Sequence, residues 1–487
     1  NVMLIFEQSR LGRNPKHQVG AVEGANYEIP EEFLRKQPAG LPDVSELQAV
    51  RHYTLLSQKN FSIDTHFYPL GSCTMKYNPR ACNTLANLPG ITSRHPFTPP
   101  DMGQGFMACM YDLQNMLREV TGMSAISLAP AAGAQGEFAG VAMIRAYHDA
   151  NNDTERCEIL VPDAAHGTNP ASAVMCGYKV KEIPTNSEGD VDLDALKSVV
   201  GPQTAGIMLT NPSTLGVFER QIEEIARVVH EAGGLLYYDG ANLNAILGKV
   251  RPGDMGFDVI HLNLHKTFST PHGGGGPGAG PVGVSERLKP YLPIPMVAYD
   301  GDDYSWVTEK ELPTTIGRLS AFMGNASILM RAYIYAKMLG NDGMARIAEF
   351  STLNANYLMT RLDEAGFEMA FKNRRATHEF IVTLKQVAKT MGVNTMDFAK
   401  RMLDYGVHAP TTYFPLLIAE CLLIEPTETE TRETLDDFVE VLKKILKEAE
   451  HTPDLVTQAP HTLPVKRLDD VRAVRQLDVA WKEGEES

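Results

Sequence analysis

The pattern of apolar and polar positions divides the chain into segments of different texture. Between residues 106 and 310, short apolar runs alternate with segments of helical spacing, which is the pattern of βαβ units around a parallel sheet. We place seven strands there, at 124–129, 157–161, 178–183, 205–210, 234–238, 257–263 and 280–284. GFMACMYDLQNMLREVTG, at 105–122, has helical spacing, and further helices are predicted near 135–150, 169–177, 192–200 and 219–232. This segment is therefore predicted to form a large α/β domain.

The flanking segments have other patterns. Residues 1–105 are rich in Pro, Gly, Asn and Ser, which predicts an extended N-terminal segment with one short helix near 43–58. A linker near 310–322 leads into residues 311–450, which are predicted to form a smaller α+β domain. Its predicted helices are 324–339, 343–364, 394–405 and 428–450, and its predicted strands are 367–371, 378–384 and 417–424. Residues 451–487 are predicted to be a C-terminal tail.

Composition excludes several classes of protein. The 487 residues are 43% hydrophobic and 22% charged, which is typical of soluble globular proteins and not of disordered chains. A net charge of −15 disfavours nucleic acid as a partner, because phosphates would be repelled. Apolar runs are too short for a membrane span. Six scattered cysteines do not fit a disulfide framework or a paired CxxC metal site.

Motifs for metal and serine chemistry are missing from the sequence. It contains neither HExxH nor GxSxG, so we predict no metal site and no serine nucleophile. The glycine run at 273–276 is not followed by the Lys-Ser or Lys-Thr of a nucleotide loop, and we interpret it as a mobile loop.

Polar residues directly after the predicted strands are the candidates for chemistry, because ligands of parallel α/β sheets bind beyond the carboxyl ends of the strands. Gly133 and Gly136, in Ala-Ala-Gly-Ala-Gln-Gly, suit a phosphate at a helix N-terminus, although an ordinary βα turn has the same composition. His166 has a ring that can stack on a planar ligand, or it is simply structural. Asn211 either donates to a ligand oxygen or belongs to an Asn-Pro turn.

Two charged residues follow the next strands. Asp239 comes directly after an apolar run, where an unpaired carboxylate is costly, so it requires a cationic partner. Lys266 follows another apolar strand and is either an amine nucleophile or a side chain that reaches solvent. Each signal is weak alone. The order of phosphate turn, ring, Asn, Asp and Lys along successive strands nevertheless fits pyridoxal phosphate, which needs a lysine and a carboxylate for its pyridine nitrogen.

Longer motifs resemble one family. NLHKTFSTPHGGGGPG around Lys266 is similar to the cofactor-lysine segment of the glycine decarboxylase (P-protein) family of the glycine cleavage system. The similarity extends over nearly the whole chain, through LIFEQSRLGR, HFYPLGSCTMKYNPR, VPDAAHGTNPASA, LTNPSTLGVFE and IEPTETETRETLDDF. The family occurs as one fused chain or as two homologous subunits, and a chain of this length that keeps the lysine resembles the second subunit of the split form.

The resemblance implies the aspartate-aminotransferase-like fold, that of fold-type I pyridoxal-phosphate enzymes, with a mostly parallel seven-stranded sheet. It implies a Schiff base between the cofactor and Lys266, and a contact of Asp239 with the pyridine nitrogen. It further implies stacking by His166, a contact of Asn211 with the phenolic oxygen, and phosphate binding by Gly133, Ala134, Gln135 and His265.

The reaction implied is decarboxylation of glycine with transfer of the aminomethyl group to the lipoyl arm of the H-protein. The implied assembly is an α2β2 heterotetramer with glycine decarboxylase subunit 1, in a prokaryotic cytoplasm. Two alternatives stay open: another enzyme of the same fold, such as an aminotransferase or a glycine acyltransferase, and a non-catalytic subunit. Lys266 argues against the second, because the partner subunit of the split form lacks this lysine.

Two further segments are candidates for the surroundings of the site. Residues 66–80, which contain Cys73 and Lys76, are interpreted as a structural loop near the active site. Arg374 and Arg375 are candidates for holding a carboxylate from the smaller domain.

Overall fold

A computed structural model describes residues 3–13, 29–37, 39–272 and 278–482 of the protein. The glycine run at 273–276 and the last five residues of the predicted tail lie outside these ranges. Across the described ranges, no helix combines the length and apolar character that crossing a bilayer requires.

The N-terminal part contains more helix than the sequence pattern predicts. Its helices are α1 (Glu46–Ser57), α2 (Arg80–Ala86), α3 (Pro89–Thr92) and α4 (Pro100–Thr121). Only α1 and the later turns of α4 were predicted. The helices α2 and α3 have seven and four residues, which is too short for a helical period to stand out. The prediction of a single helix before residue 106 is therefore wrong.

All seven predicted strands of the large sheet are present. They are β1 (Ala125–Ser127), β2 (Glu158–Pro162), β3 (Lys179–Ile183), β4 (Thr204–Thr210), β5 (Leu235–Gly240), β6 (Val259–Leu262) and β7 (Val282–Val284). Their spatial order is β1-β7-β6-β5-β4-β2-β3. Strand β7 is antiparallel to both neighbours, and the other pairs are parallel. The predicted mostly parallel sheet is confirmed.

Helices pack on both faces of this sheet, as βαβ connections require. They are α5 (Gly133–Ala150), α6 (Thr168–Met175), α7 (Leu193–Val199), α8 (Ile222–Glu231) and the single turn α9 (Leu264–Thr267). Short 3-10 helices occur at Glu31–Phe33, Leu243–Ala245, Pro252–Met255 and Glu286–Tyr291. Helix α8 ends at Glu231 and is followed by Gly233, whose φ of 81° is the left-handed conformation that glycine adopts most easily.

The chain then forms a hairpin and a long helix. Strands β8 (Met296–Tyr299) and β9 (Tyr304–Val307) pair around Gly301. The sequence interpretation missed this hairpin, although Asp300-Gly301 between two apolar runs is a hairpin signal. Helix α10 (Ala326–Glu364) is interrupted at Gly340, which has non-helical dihedrals. Two helices were predicted here, and the break agrees with that prediction.

The C-terminal part is built on a smaller antiparallel sheet of order β10-β11-β13-β12. Its strands are β10 (Glu368–Met369), β11 (Phe380–Thr383), β12 (Thr411–Thr412) and β13 (Cys421–Ile424). Its helices are α11 (Lys385–Met391), α12 (Thr395–Asp404), α13 (Arg432–His451), α14 (Pro453–Thr457) and α15 (Asp470–Arg475). Strand β12 was not predicted, because two residues carry no period.

Residues 70–76 of the N-terminal segment contact strand β13 of the small sheet and helix α9, which follows β6 of the large sheet. Leu70 forms a β-bridge with Ile424 at the end of β13. The Nζ atom of Lys76 lies 2.5 Å from Oε1 of Glu428 and donates to the carbonyl of Thr267 at 2.8 Å, in a fully buried position. This segment therefore joins the small sheet to the helical turn α9 that follows β6.

Candidate active site

A cavity of about 340 Å³ opens at the carboxyl ends of β2, β4, β5 and β6, where a parallel α/β sheet binds its ligands. Six of the eight predicted site residues line it: Gly133, Ala134, His166, Asp239, His265 and Lys266. The topology thus brings together residues that lie up to 133 positions apart in the sequence.

The predicted phosphate turn forms the first turn of α5. The preceding residue, Ala132, is extended and provides no side-chain cap for the helix, which leaves its amides to other partners. A Cβ atom at Gly133 would lie 2.0 Å from Oδ1 of Asn263, so only glycine lets the turn approach β6 this closely. The turn therefore presents backbone N–H groups to the cavity, which is the arrangement that binds anions.

Gln135 and Asn211 do not line the cavity. The Gln135 amide accepts from Ala131 N at 2.7 Å and donates to the carbonyl of Leu319 at 3.1 Å, so it stabilises the turn without lining the cavity. Asn211 is buried, and its Oδ1 accepts from Glu219 N at 2.9 Å. The proposed cofactor contacts of these two side chains therefore find no support in the geometry. Thr210 and Thr214 line the cavity instead.

Asp239 is the penultimate residue of β5 and is 5% exposed. Its Oδ1 accepts from Ala241 N at 3.0 Å and lies 3.5 Å from Nε2 of His261. The Asn169 amide, with its nitrogen facing the carboxylate, donates to Oδ2 at 3.2 Å. Burial lowers the pKa of His261, so this ring is neutral at pH 7. The carboxylate thus points into the cavity among uncharged partners, which suits a cationic ligand.

Glu137 is a second carboxyl group in the cavity that the sequence interpretation missed. Burial, with the nearby charge of Asp239, raises the pKa of Glu137 to about 7. Thr168 Oγ1 donates to Glu137 Oε2 at 2.9 Å and is itself hydrogen-bonded to Nδ1 of His166 at 2.9 Å. Burial lowers the pKa of His166. Glu137 is therefore joined to the predicted stacking ring through one hydroxyl.

We expect Glu137→Gln to stabilise the cofactor-free protein at alkaline pH. The raised pKa means that the stabilising contribution of Glu137 is complete below pH 4.5 and is lost as pH rises through about 7. This loss amounts to about 3 kcal/mol at pH 8, and glutamine avoids it. When melting temperatures are measured from pH 5 to 8, the melting temperature of the variant should increase relative to that of the wild type as pH rises. Glu155→Gln, at an exposed position, is the control. If the melting temperatures of Glu137→Gln and the wild type differed by the same amount at every pH, the expectation would be contradicted.

Lys266 lies in the single turn α9, directly after β6. Its Nζ donates to the carbonyl of Ser72 at 2.6 Å, so a residue of the N-terminal segment holds the amine at the cavity. Ser72 also lines the cavity, which places the predicted loop 66–80 at the site. Cys73 is half-buried, and burial raises the pKa of its thiol, which disfavours a reactive thiolate.

Two histidines lie beside the lysine. Burial, with the positive charges of neighbouring groups, lowers the pKa of His265 to about 3 and that of His272 to about 4. Both rings are therefore neutral at pH 7 and offer N–H groups without charge. Within the part of the chain that the structure describes, His265 Nδ1 and Asn263 Oδ1 are buried and have no hydrogen-bond partner. Such atoms are costly unless a ligand satisfies them.

Arg374, the candidate for holding a carboxylate, lies elsewhere. Its guanidinium donates to Asp190 Oδ2 at 3.0 Å and to the carbonyls of Glu188 and Phe218, both at 2.7 Å. These contacts join the segment after β10 to the segments before α7 and α8, so the role of Arg374 is structural. Arg375 is exposed, and neither arginine lines the cavity.

Comparisons with known proteins agree with this geometry. Residues 22–306 match the family model "Glycine cleavage system P-protein", and residues 347–463 match "Glycine dehydrogenase, C-terminal domain". Proteins named "Probable glycine dehydrogenase (decarboxylating) subunit 2" are similar to the chain. That of Thioalkalivibrio sulfidiphilus is 70% identical over 99% of this chain and 97% of its own, and that of Thiobacillus denitrificans is 69% identical over 99% of both.

Solved structures show the same fold. The inhibitor-bound glycine decarboxylase (P-protein) of the glycine cleavage system matches with a TM-score of 0.72 and 21% identity, over 86% of this chain and 93% of its own. An aspartate aminotransferase from Thermus thermophilus matches with a TM-score of 0.57 and 15% identity, over 79% and 99%. These confirm the predicted aspartate-aminotransferase-like fold, that of fold-type I pyridoxal-phosphate enzymes. The chain belongs to the glycine cleavage system P-protein family.

Proposed function

We propose that the protein is a pyridoxal-phosphate enzyme that decarboxylates glycine and transfers the aminomethyl group to the lipoyl arm of the H-protein. The observation that carries the proposal is the meeting of Lys266, Asp239 and the first turn of α5 in one cavity. The names of its relatives, glycine dehydrogenase (decarboxylating) subunit 2, support the same reaction.

The residues of the cavity fit this cofactor. The amides at Gly133 and Ala134 suit the phosphate, because the first turn of α5 has no side-chain cap. The unpartnered His265 Nδ1 and Asn263 Oδ1 offer a polar lining that a ligand would satisfy. The carboxylate of Asp239, among uncharged partners, suits a protonated ring nitrogen.

Pyridoxal phosphate, when bound, supplies an aldehyde and a ring that takes up the electron pair left at Cα after bond cleavage. The amine of Lys266 would bind the aldehyde carbon covalently. Asp239 would hold a proton on the ring nitrogen, because a buried carboxylate favours the cationic form strongly. His166 would cover one face of the ring, and Thr168 would fix the orientation of the imidazole through its hydroxyl.

The protein's assembly is also a proposal. The name "subunit 2" of its relatives supports a partner subunit, glycine decarboxylase subunit 1, in an α2β2 heterotetramer. Several large apolar side chains of α1 are more than half exposed, namely Leu47, Val50, Tyr53 and Leu55. Exposed apolar clusters of this kind are typical of protein interfaces. The bacterial relatives support a cytoplasmic location.

The test of the function is an absorption spectrum of the chain, expressed with its partner subunit, before and after borohydride. We expect a reducible cofactor band, and peptide mapping should assign the reduced adduct to Lys266. Exchange of labelled CO2 into glycine, dependent on the lipoylated H-protein, then identifies the reaction.

Each alternative gives a different result in this test. An aminotransferase or acyltransferase would show the adduct at Lys266 without CO2 exchange. A non-catalytic subunit would show no band, even with added pyridoxal phosphate. Either result would overturn the proposal.

A further inference from the structure

A second group of buried ionisable side chains lies on the small sheet, next to residues 70–74. Glu379 directly precedes β11, and Glu425 directly follows β13. These antiparallel strands pair Phe380 with Ile424, which sets the two glutamates side by side at one end. Both glutamates are completely buried, as is His378. One ring nitrogen of His378 and one carboxylate oxygen of each glutamate lie within 4.8 Å of one another.

The hydrogen bonds distinguish the two glutamates. Glu425 accepts three: from Thr74 N at 3.1 Å, from Thr74 Oγ1 at 2.6 Å and from Asn244 Nδ2 at 3.3 Å. Glu379 accepts one, from Ser72 N at 2.7 Å. Among the described residues, its Oε1 has no hydrogen-bond partner, and Nε2 of His378 lies 3.6 Å from it. Because only an ionised carboxylate accepts at both oxygens without donating, the pattern favours the charge on Glu425 and a proton on Oε1 of Glu379.

These bonds also hold an unusual backbone. Ser72 and Thr74 have φ angles of 62° and 48°, which residues other than glycine rarely adopt. The N–H groups of both residues donate to the buried glutamates. The carbonyl of Ser72 accepts from the amine of Lys266. One residue therefore connects Glu379, through its N–H group, to Lys266, through its carbonyl group.

We propose that Glu379 and Glu425 together carry one proton, which resides on Glu379, and hold the Ser72 carbonyl against the amine of Lys266, which makes them positioning residues for that amine. The pair carries one negative charge, which offsets the positive charge of the Lys266 ammonium. A change in the charge of the amine is therefore linked to the proton affinity of the pair, in both directions. The inference rests on the proposed role of Lys266 in cofactor binding.

The directions of the pKa shifts agree with this arrangement. Burial raises the pKa of Glu379 well above its usual range and that of Glu425 to about 7, and the charge of Lys266 opposes both shifts. Burial keeps the other groups near the amine neutral at pH 7, by raising the pKa of the Cys73 thiol and lowering the pKa of each histidine. These histidines are His166, His261, His265, His272 and His378. Glu137 and Asp239 line the same cavity as Lys266.

The test measures the amine itself, in the full chain without cofactor. A pulse of an acylating reagent at a series of pH values, followed by peptide mapping, gives the pH at which half of Lys266 is labelled. We expect Glu425→Gln to lower this pH by about 1 unit, because a negative charge beside the ammonium is lost. Glu379→Gln should leave it unchanged, because glutamine replaces a neutral acid and still accepts from Ser72 N. Infrared spectra should show that Glu379→Gln loses one carboxylic-acid C=O band at pH 7.

Two further variants separate charge from structure. Glu430→Gln removes a half-buried carboxyl whose pKa burial also raises to about 7, and it should not change the half-labelling pH. Thr74→Val removes a hydrogen bond that favours the charged form of Glu425, so it should change the half-labelling pH in the same direction as Glu425→Gln and by less. An unchanged value in Glu425→Gln, an unchanged carboxylic-acid band in Glu379→Gln, or a stoichiometric metal ion in the purified protein would overturn the inference. Borohydride trapping in the wild type tests the cofactor separately, so the two failures are distinguishable.

Discussion

Replacing Lys266 with alanine is expected to lower CO2 release from glycine by about 10³-fold or more, because both the covalent link and a proton-transferring amine are lost. The side chain lies at the cavity and donates to the Ser72 carbonyl, so its truncation removes no packing from the core. The variant should bind pyridoxal phosphate weakly and lose its borohydride adduct. Initial rates with the lipoylated H-protein, together with the spectrum, measure both effects.

A lysine outside the cavity provides the matched control. Lys249 is exposed and paired with Glu349 on the surface, so Lys249→Ala should keep the activity and the cofactor band of the wild type. Activity within about tenfold of the wild type in Lys266→Ala would contradict the assignment of the amine.

The second large effect is expected for Asp239→Asn, which should lower kcat by about 10² to 10³-fold while the cofactor remains bound. Asparagine keeps the size of the side chain and can still accept from Ala241 N, but it cannot hold a proton on a ring nitrogen. The effect therefore falls on the chemical step rather than on glycine binding. Separate measurements of kcat and KM, with the cofactor content of each preparation, test this division.

Asp258, a buried aspartate that directly precedes β6, is the control for burial. Its Oδ2 accepts from Leu236 N at 2.9 Å and lies 2.8 Å from Nε2 of His230, away from the cavity. Asp258→Asn should lower the melting temperature and leave the kcat of the folded protein unchanged. An equal loss of kcat in both variants would show that Asp239 acts only through stability.

The large sheet was predictable because its strands, apart from the more polar edge strand β3, are apolar runs between turn signals. The cavity residues that follow strands were predictable for the same reason, as Asp239 and Lys266 illustrate. Asn211 fits that pattern too, yet its side chain turns toward Glu219 N. Position after a strand specifies the edge of the sheet but not the direction of a side chain. The short elements α2, α3 and β12 have too few residues for a period.

Glu379 and Glu425 were missed although the signal was available. Each lies directly against an apolar run, which is the feature that identified Asp239. Their partners Ser72 and Thr74 precede them by more than 300 residues, and no local pattern predicts contacts over such distances. Glu137 was missed because it sits on a helix, whereas the search followed strand ends.

The contacts of residues 70–76 also determine when the site is completed during synthesis. Ser72 and Thr74 emerge from the ribosome early, but Glu425 follows Thr74 by 351 residues. At elongation rates of roughly 5 to 20 residues per second, this interval lasts roughly 20 to 70 s. During that time the nascent chain carries a segment whose two buried acceptors do not yet exist. A truncated chain that ends before β13 would therefore lack Glu425, one of the two glutamates that hold residues 72–74 beside Lys266, whatever the state of its larger sheet.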